Sequence, residues 1–280
     1  MTNLKEIVNY YETTESRLGY SWLTWDSKHF GYYPLDGKVI SERKAQENMV
    51  ELLIKKLQPQ KNDKILDAGS GRGVVACLIA QKFPLTVTGI DIVPFEIQKA
   101  KNRAKKLGIS DRVNFLLTDY SNTDFPDSAF DSVFTMESLV HSLDINQTLN
   151  EFRRILKPGG RLVCFEYSVS PTENFDERSK KMIDMIADGS AMFSLRKMGH
   201  GQMENYLAQN GFGNIQHEDI SKNVLPSMER FSRYATGPYQ LLRLLSLEKK
   251  FINTTAGVEF YNLTKKGLVQ YNIYTAVKKV

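Results

Sequence analysis

The stretch LDAGSGRG at residues 66–73 decides the fold, because it connects an apolar strand pattern to a helical pattern through a turn rich in glycine. Glycines allow the backbone to turn tightly and to approach a ligand with no side chain in between. The first N–H groups of the helix that follows have no partner within the helix and face that ligand. We therefore predict a ligand-binding turn at the carboxyl end of a strand.

Short apolar runs and helical patterns alternate along the chain around this turn. Strands are predicted at residues 64–68, 86–90, 113–117, 131–136, 161–167, 214–220 and 270–277. Helices are predicted at residues 41–58, 72–82, 94–107, 145–156 and 202–210. Such alternation is typical of βαβ units and a parallel sheet. The sequence therefore predicts an α/β fold with a doubly wound, Rossmann-like sheet.

The remaining segments are expected to surround that sheet. We divide the chain into four parts. Residues 1–60 form an N-terminal lid with the first helix, residues 61–168 form the core, and residues 169–200 form a lid insertion. Residues 201–280 form the end of the sheet, with a second insertion at about 222–268. Residues 1–40 are rich in aromatic side chains and are expected to be irregular. If the last two strands form an antiparallel hairpin, both insertions leave the carboxyl edge of the sheet, where ligands of such sheets bind. We expect them to cover the site.

The composition excludes several classes of protein. With 280 residues, 41% hydrophobic and 25% charged, the chain can bury a full core, and a net charge of +5 without a basic arm argues against nucleic-acid binding. Both cysteines, Cys77 and Cys164, lie in apolar runs, which favours reduced thiols in a cytoplasmic protein. No apolar leader and no membrane-spanning run of about 20 residues are evident. Contact with a membrane surface is left open, as is the oligomeric state.

The spacing of the glycines points to one cofactor. A dinucleotide-binding turn would place its third glycine at position 74, which is Val74, whereas here it is Gly73. The spacing G-x-G-x-G is that of methyltransferases that bind S-adenosylmethionine (SAM) and release S-adenosylhomocysteine. Asp91, ending the second strand, can accept both ribose hydroxyls, and Asp119, ending the third, can accept the adenine amine. We predict cofactor contacts from Asp67, Gly69, Ser70, Gly71, Gly73, Asp91, Ile92, Thr118, Asp119, Tyr120 and Met136.

Residues 64–165, including FDSV at 130–133 and LKPGG at 156–160, resemble the core of class I SAM-dependent methyltransferases. That resemblance implies a seven-stranded sheet with an antiparallel final hairpin. A closer resemblance, over roughly residues 10–220, is to sterol 24-C-methyltransferases and related small-molecule C-methyltransferases. The segments that carry it are KHFGYY at 28–33, MESLVH at 136–141, FEY at 165–167 and IADGS at 186–190. It implies methyl transfer to a small hydrophobic acceptor, in first place to an alkene carbon of a sterol-like or isoprenoid substrate.

An alkene that attacks the methyl group becomes a tertiary carbocation, so its site needs aromatic faces and a base. The candidate catalytic residues are Glu166, His141, Glu137, His29 and Tyr20. If the stretch after the fourth strand is helical, Glu137 and His141 share a face. Substrate contacts are predicted from Trp22, Trp25, Tyr32, Tyr33, Tyr167 and Phe193. Structural alternatives are that Glu166 anchors the lid, that His141 is a hydrogen-bonded structural residue, and that the aromatic residues only hold the lid in place.

Other functions fit the same residues. In an O- or N-methyltransferase acting on a natural product or quinol-like lipid, His141 or His29 would activate a hydroxyl or amine. A SAM-binding protein without catalysis is the third alternative. No metal is expected, except Mg²⁺ if the substrate is a diphosphate. Residues 225–251, both apolar and basic, are either an ordinary amphipathic cover, a pocket meeting a membrane surface, or a binding segment for an isoprenoid diphosphate.

Overall fold

The structure, a computed structural model, describes residues 2–24 and 26–279, and all of their side chains except those of residues 2 and 20–24. Within the described residues, seven strands form one mixed sheet. They are Lys64–Ala68 (β1), Thr86–Asp91 (β2), Val113–Leu117 (β3), Phe130–Met136 (β4), Leu156–Val169 (β5), Phe212–Asp219 (β6) and Val269–Lys278 (β7). The predicted α/β fold class is confirmed.

Helices connect the strands. Their bounds are Thr2–Glu12 (α1), Thr14–Thr24 (α2), Glu42–Leu57 (α3), Val74–Lys82 (α4), Pro94–Leu107 (α5), Ile145–Ile155 (α6), Glu177–Gly189 (α7), Gln202–Gln209 (α8), Ser221–Leu244 (α9) and Ile252–Lys265 (α10). Local sequence fixes several ends. Pro94 stands at the first position of α5, Gly108 ends that helix with φ +68°, and the Asp144 carboxylate caps the first turn of α6.

The strand order is β3-β2-β1-β4-β5-β7-β6. β1 pairs in parallel with β2 on one side and with β4 on the other, and the parallel pairing continues to β3 and β5. The order therefore reverses beside β1, and the crevice at the carboxyl ends of β1 and β4 is where such sheets bind ligands. The glycine turn follows β1 at that point.

The chain separates into two compact units, each built from distant parts of the sequence. The first comprises Met1–Met49, Tyr167–His200 and Asp219–Asn272, and the second comprises Val50–Glu166, Gly201–Glu218 and Ile273–Val280. The second unit contains the glycine turn and the first four strands. Among the described residues, no helix is both long and apolar enough to cross a membrane.

The prediction of irregular structure for residues 1–40 is wrong for their first half, which forms α1 and α2. Aromatic residues and threonine have modest helix propensity, so local sequence gave a weak signal. Tertiary contacts supply the stability instead. The carboxylate of Glu15 in α2 accepts hydrogen bonds from the backbone N–H groups of Asn253 and Thr254 in the first turn of α10, at 3.2 and 2.8 Å. Those N–H groups have no acceptor within α10, and the Glu15 carboxylate of α2 supplies it.

Candidate active site

The glycine turn is a tight bend fixed to the neighbouring strand. Gly69, Gly71 and Gly73 have φ angles of +89°, +49° and +69°. The N–H groups of Gly69 and Ser70 both donate to the carbonyl oxygen of Ile90 at 2.9 Å, which holds the turn against β2. A Cβ atom at position 69 would lie 2.4 Å from the Cβ atom of Ser138. Only glycine therefore fits there, both by conformation and by space.

Asp91 at the end of β2 organises the turn. One carboxylate oxygen accepts the N–H of Gly71 at 2.8 Å, and the other accepts the N–H of Val93 at 2.9 Å. An ionised carboxylate has about four acceptor positions, so two of them suffice for these contacts. The remaining positions can accept the two hydroxyls of a ribose, as predicted for this residue.

Asp67 and Ser70 supply polar atoms that a bound ligand would satisfy. Among the described residues, the Oδ2 atom of Asp67 and the Oγ atom of Ser70 are buried without a hydrogen-bond partner. Burial raises the pKa of Asp67 well above its ordinary value, and the nearby charge of Asp91 raises it further. A buried carboxylate of this kind favours either a proton or a cation beside it. SAM has a sulfonium and an ammonium group, so these residues fit the cofactor.

The residues after β3 continue the site. The N–H of Thr118 donates to the carbonyl of Asp91 at 3.0 Å, and the Asp119 carboxylate accepts the N–H of Ser121 at 2.8 Å. The Tyr120 hydroxyl donates to the carbonyl of Ser138 at 2.9 Å, and burial raises the pKa of Tyr120 well above its ordinary value. Thr118, Asp119 and Tyr120 are half-buried, as are the other predicted contacts Ile92 and Met136, at the ends of β2 and β4.

Glu166 in β5 anchors the loop that follows β4. Its Oε1 atom accepts the N–H groups of Ser138 and Leu139 at 3.0 and 2.7 Å and the hydroxyl of Thr135 at 3.2 Å. Burial raises the pKa of Glu166 to about 8, although these hydrogen bonds oppose the shift, and the charge of Glu137 adds to it. The carboxyl group therefore binds a proton much more tightly than an exposed glutamate does.

Glu137 and His141 do not share a helical face, so that expectation is wrong. Glu137 has the left-handed φ of +55°, and its N–H donates to the carbonyl of Phe165 at 2.8 Å. Only Leu139–His141 forms a short 3₁₀ helix, in which His141 is buried. The hydrogen bonds to Glu166 hold the loop in this shape. Left-handed backbone at a residue other than glycine stores strain, which is frequent at functional sites.

His29 belongs to the first compact unit and is buried there. Its Nδ1 atom lies 3.0 Å from the carbonyl oxygen of Phe30, so Nδ1 carries the proton. The buried Nε2 atom has no hydrogen-bond partner among the described residues. Burial lowers the pKa of His29 to about 4. The imidazole is therefore neutral at pH 7, with Nε2 as an acceptor.

The aromatic candidates divide into several groups. Tyr167 packs edge-to-face against Phe260 and Tyr271, with ring centroids 5.0 and 5.3 Å away. The Tyr33 hydroxyl donates to Glu42 at 2.9 Å, while Tyr32 and Phe193 are half-buried. These contacts are internal to the first unit and fit the packing alternative for Tyr167. The roles predicted for Tyr20, Trp22 and Trp25 lie outside the residues whose side chains are described.

Two residues important for the site's shape escaped the sequence analysis. Ser138 contacts Gly69, accepts from Tyr120 through its carbonyl, and donates its hydroxyl to the carbonyl of Ala68 at 2.6 Å. Glu96 forms a buried ion pair with Arg72, whose Nε atom lies 3.1 Å from Oε2, beside the glycine turn. Sequence spacing gave no signal for either, because both act through neighbours that only the fold brings together.

These features together define a nucleoside-binding α/β protein of the class I methyltransferase fold. The family model described as "Methyltransferase domain" matches residues 59–230, and the chain belongs to this family of SAM-dependent methyltransferases. Its cofactor is SAM. Within the described residues, no group of three or more acidic, histidine or cysteine side chains could hold a metal ion.

Several known proteins are similar over nearly the whole chain. The S-adenosyl-L-methionine-dependent Diels-Alderase iccD of Talaromyces variabilis is 33% identical over 263 residues, covering 92% of this chain and 90% of that protein. The sterol 24-C-methyltransferase of Pneumocystis carinii (strain B80) is 25% identical over 276 residues, covering 94% and 71%. Geranyl diphosphate C-methyltransferase from Streptomyces coelicolor A3(2), crystallised with Mg²⁺, geranyl-S-thiolodiphosphate and S-adenosyl-L-homocysteine, has a TM-score of 0.76 at 20% identity, covering 99% and 98%. At this low identity, the similarity to the last structure shows the fold alone.

Proposed function

We propose that this methyltransferase methylates an alkene carbon in a small apolar acceptor of the isoprenoid or sterol-like class. The observation that carries the proposal is the pair of acids Glu137, directly after β4, and Glu166, near the carboxyl end of β5. Glu166 is fully buried, and its pKa of about 8 reflects both burial and the charge of Glu137. A buried acid with a half-buried acid near it suits a reaction that produces a cation on the acceptor.

The cofactor supplies an electrophilic methyl group. After an alkene has attacked it, the acceptor has a positive charge that a nearby carboxylate stabilises, and a proton must then leave the acceptor. Glu166 suits the second task in its ionised form, which predominates above its pKa of about 8 and is a stronger base than an ordinary carboxylate. Glu137 suits the first, since its backbone is fixed by the bond from its N–H to Phe165. The relatives that methylate sterols and geranyl diphosphate support an acceptor of this chemistry.

Product analysis with deuterated SAM tests the proposal. The enzyme is incubated with isoprenoid and sterol alkenes and, in parallel, with quinols and amines, and products are examined by mass spectrometry and NMR. We expect a deuterated methyl group on carbon. Label found on oxygen or nitrogen alone would establish the O- or N-methyltransferase instead, with His141 or His29 as the candidate base.

A matched pair of variants tests the role of Glu166. Glu166→Gln preserves an oxygen that can accept the N–H groups of Ser138 and Leu139, so SAM affinity should stay within a few-fold. Turnover should fall about 100-fold or more, the typical contribution of a general base. Glu173→Gln, at an exposed position, is the control. Full turnover in Glu166→Gln would leave Glu166 only its anchoring role.

A second candidate is cyclisation of a polyene without methyl transfer, favoured by the 33% identity with iccD. In that case bound SAM would stabilise the folded protein, and the substrate would be converted without receiving a methyl group. The two functions differ in one measurement. A methyltransferase forms S-adenosylhomocysteine in step with product, whereas a cyclase yields an isomer of its substrate and leaves SAM unconsumed.

A further inference from the structure

The second half of α9 and Leu245, the residue directly after it, expose a stripe of apolar side chains to solvent. Tyr234, Leu241, Leu244 and Leu245 are 61%, 57%, 81% and 56% exposed. They recur at the spacing i, i+7, i+10 and i+11, which places them on one face of the helix. Tyr239, buried against the body of its unit, lies on the opposite face. We call the four exposed residues the α9 stripe.

Apolar residues at this spacing normally mark the face that a helix buries. An exposed face of this kind therefore indicates a surface that binds a partner. Single exposed leucines are common on protein surfaces, but these three lie within five residues. They follow Gly237 and Pro238, which are also exposed. Phe251, 36% exposed, comes shortly after the helix and just before α10. Apolar side chains are therefore exposed both within α9 and after its end.

The segment that carries the α9 stripe is basic. Residues 229–251 contain five basic and two acidic side chains, a net charge of +3 out of +5 for the whole chain. The basic ones are Arg230, Arg233, Arg243, Lys249 and Lys250. The Arg230 guanidinium lies 5.2 Å from the centre of the Tyr234 ring, so charge and apolar surface are in direct contact. One of the two acids, Glu229, is paired with Arg233.

We propose that the α9 stripe, together with Arg230 and the basic residues that follow α9, docks the protein on an anionic lipid surface. An apolar helix face flanked by arginine and lysine is the arrangement by which helices lie in the interface of a bilayer. The leucines enter the boundary between headgroups and acyl chains, while the basic side chains pair with lipid phosphates and carboxylates. The proposal does not depend on which atom of the acceptor is methylated.

Vesicle sedimentation with the full chain tests the proposal. We expect binding to vesicles of phosphatidylcholine mixed with phosphatidylserine, weaker binding to phosphatidylcholine alone, and release at high salt. The triple variant Leu241→Gln, Leu244→Gln, Leu245→Gln should lose binding while keeping its circular dichroism and SAM affinity, because all three side chains are exposed. Leu35→Gln with Val39→Gln, exposed elsewhere, is the apolar control.

A second set of variants separates charge from apolar contact. Each basic residue near an anionic surface contributes about fivefold in affinity, so Arg230→Gln, Lys249→Gln, Lys250→Gln should weaken binding about 100-fold. The exposed lysines of α5 give a control with the same change of charge, Lys101→Gln, Lys105→Gln, Lys106→Gln, which should bind nearly as wild type. Equal losses in both sets, or no binding by the wild type, would overturn the proposal. So would a dimer in light scattering that the leucine variant converts to monomer without any vesicle binding.

Discussion

Asp67, Asp91 and Glu166 are three acids of one site with three different surroundings. Asp91 accepts two backbone N–H groups and is half-buried, whereas Asp67 is buried and its Oδ2 atom has no partner among the described residues. Glu166 is buried but accepts three hydrogen bonds at one oxygen. Because burial penalises charge and hydrogen bonds favour it, the same functional group can position a backbone, attract a cation or hold a proton.

Asp91→Ala should weaken SAM binding by about tenfold or more. The substitution removes charged acceptors for ribose hydroxyls and also releases the N–H of Gly71, each at a cost typical of charged hydrogen bonds. Titration calorimetry measures the change. Asp111→Ala, which removes an exposed acid between α5 and β3, should leave affinity unchanged. Equal affinity in Asp91→Ala and wild type would mean that the ribose binds elsewhere.

The pKa of Glu166 predicts a pH dependence of stability. Its folded value of about 8 is above the ordinary 4.5, so its favourable contribution is complete below pH 4.5 and is lost as the pH rises to about 8. Glu166→Gln cannot ionise. Between pH 5 and pH 8, its free energy of unfolding should rise relative to wild type by about 1–3 kcal/mol. Urea unfolding at both pH values measures this, with Glu173→Gln as the control. A difference that stays constant with pH would contradict the raised pKa.

At the scale of elements, local sequence predicted the core well. β1, β3 and α5 have the predicted bounds, because an apolar strand ending at a glycine turn and a helix between Pro94 and Gly108 both contain their own start and stop signals. The cofactor turn was visible for the same reason: its glycines are consecutive in sequence. The prediction of cofactor contacts at the ends of the next two strands needed only the rule that parallel strands end at one edge of the sheet.

Elements fixed by distant contacts were not predictable. α1 and α2 depend on bonds such as those from α10 to Glu15, which is 238 residues from Asn253. The loop after β4 resembled a helix in sequence, but its shape follows from Glu166 and from the close approach of Ser138 to Gly69. In both cases tertiary partners override local propensity, and no spacing rule reveals those partners.

The glycine turn provides a matched pair of substitutions. Gly73 and Gly108 have nearly the same φ, +69° and +68°, but a Cβ atom at 73 would lie 2.4 Å from the Phe115 ring, whereas nothing lies within 4 Å at 108. Gly108→Ala should cost only the left-handed strain, about 1–2 kcal/mol. Gly73→Ala adds overpacking of about 1–3 kcal/mol. Urea unfolding measures both. Equal costs would show that Phe115 moves aside freely.

At the scale of the whole molecule, the cofactor site lies within one compact unit. All of the predicted cofactor contacts fall between residues 67 and 136, inside Val50–Glu166. The aromatic candidates and His29 fall in the other unit. The predicted cofactor contacts and the predicted aromatic substrate contacts therefore fall in different units, whereas Glu137 and Glu166 belong to the same unit as the cofactor contacts.

This division predicts how the whole chain responds to cofactors. A ligand that binds only the folded state at a hundred times its Kd raises the free energy of unfolding by about 2.7 kcal/mol. SAM and S-adenosylhomocysteine should both do so, since both have the ribose and the ammonium group that Asp91 and Asp67 are predicted to bind. Nicotinamide adenine dinucleotide should not, because Gly73 directly precedes Val74 and the spacing of its phosphate turn is absent. Thermal unfolding with each compound measures the effect, and Asp91→Ala should respond less to SAM. Stabilisation by the dinucleotide alone would contradict the geometry of the entire site.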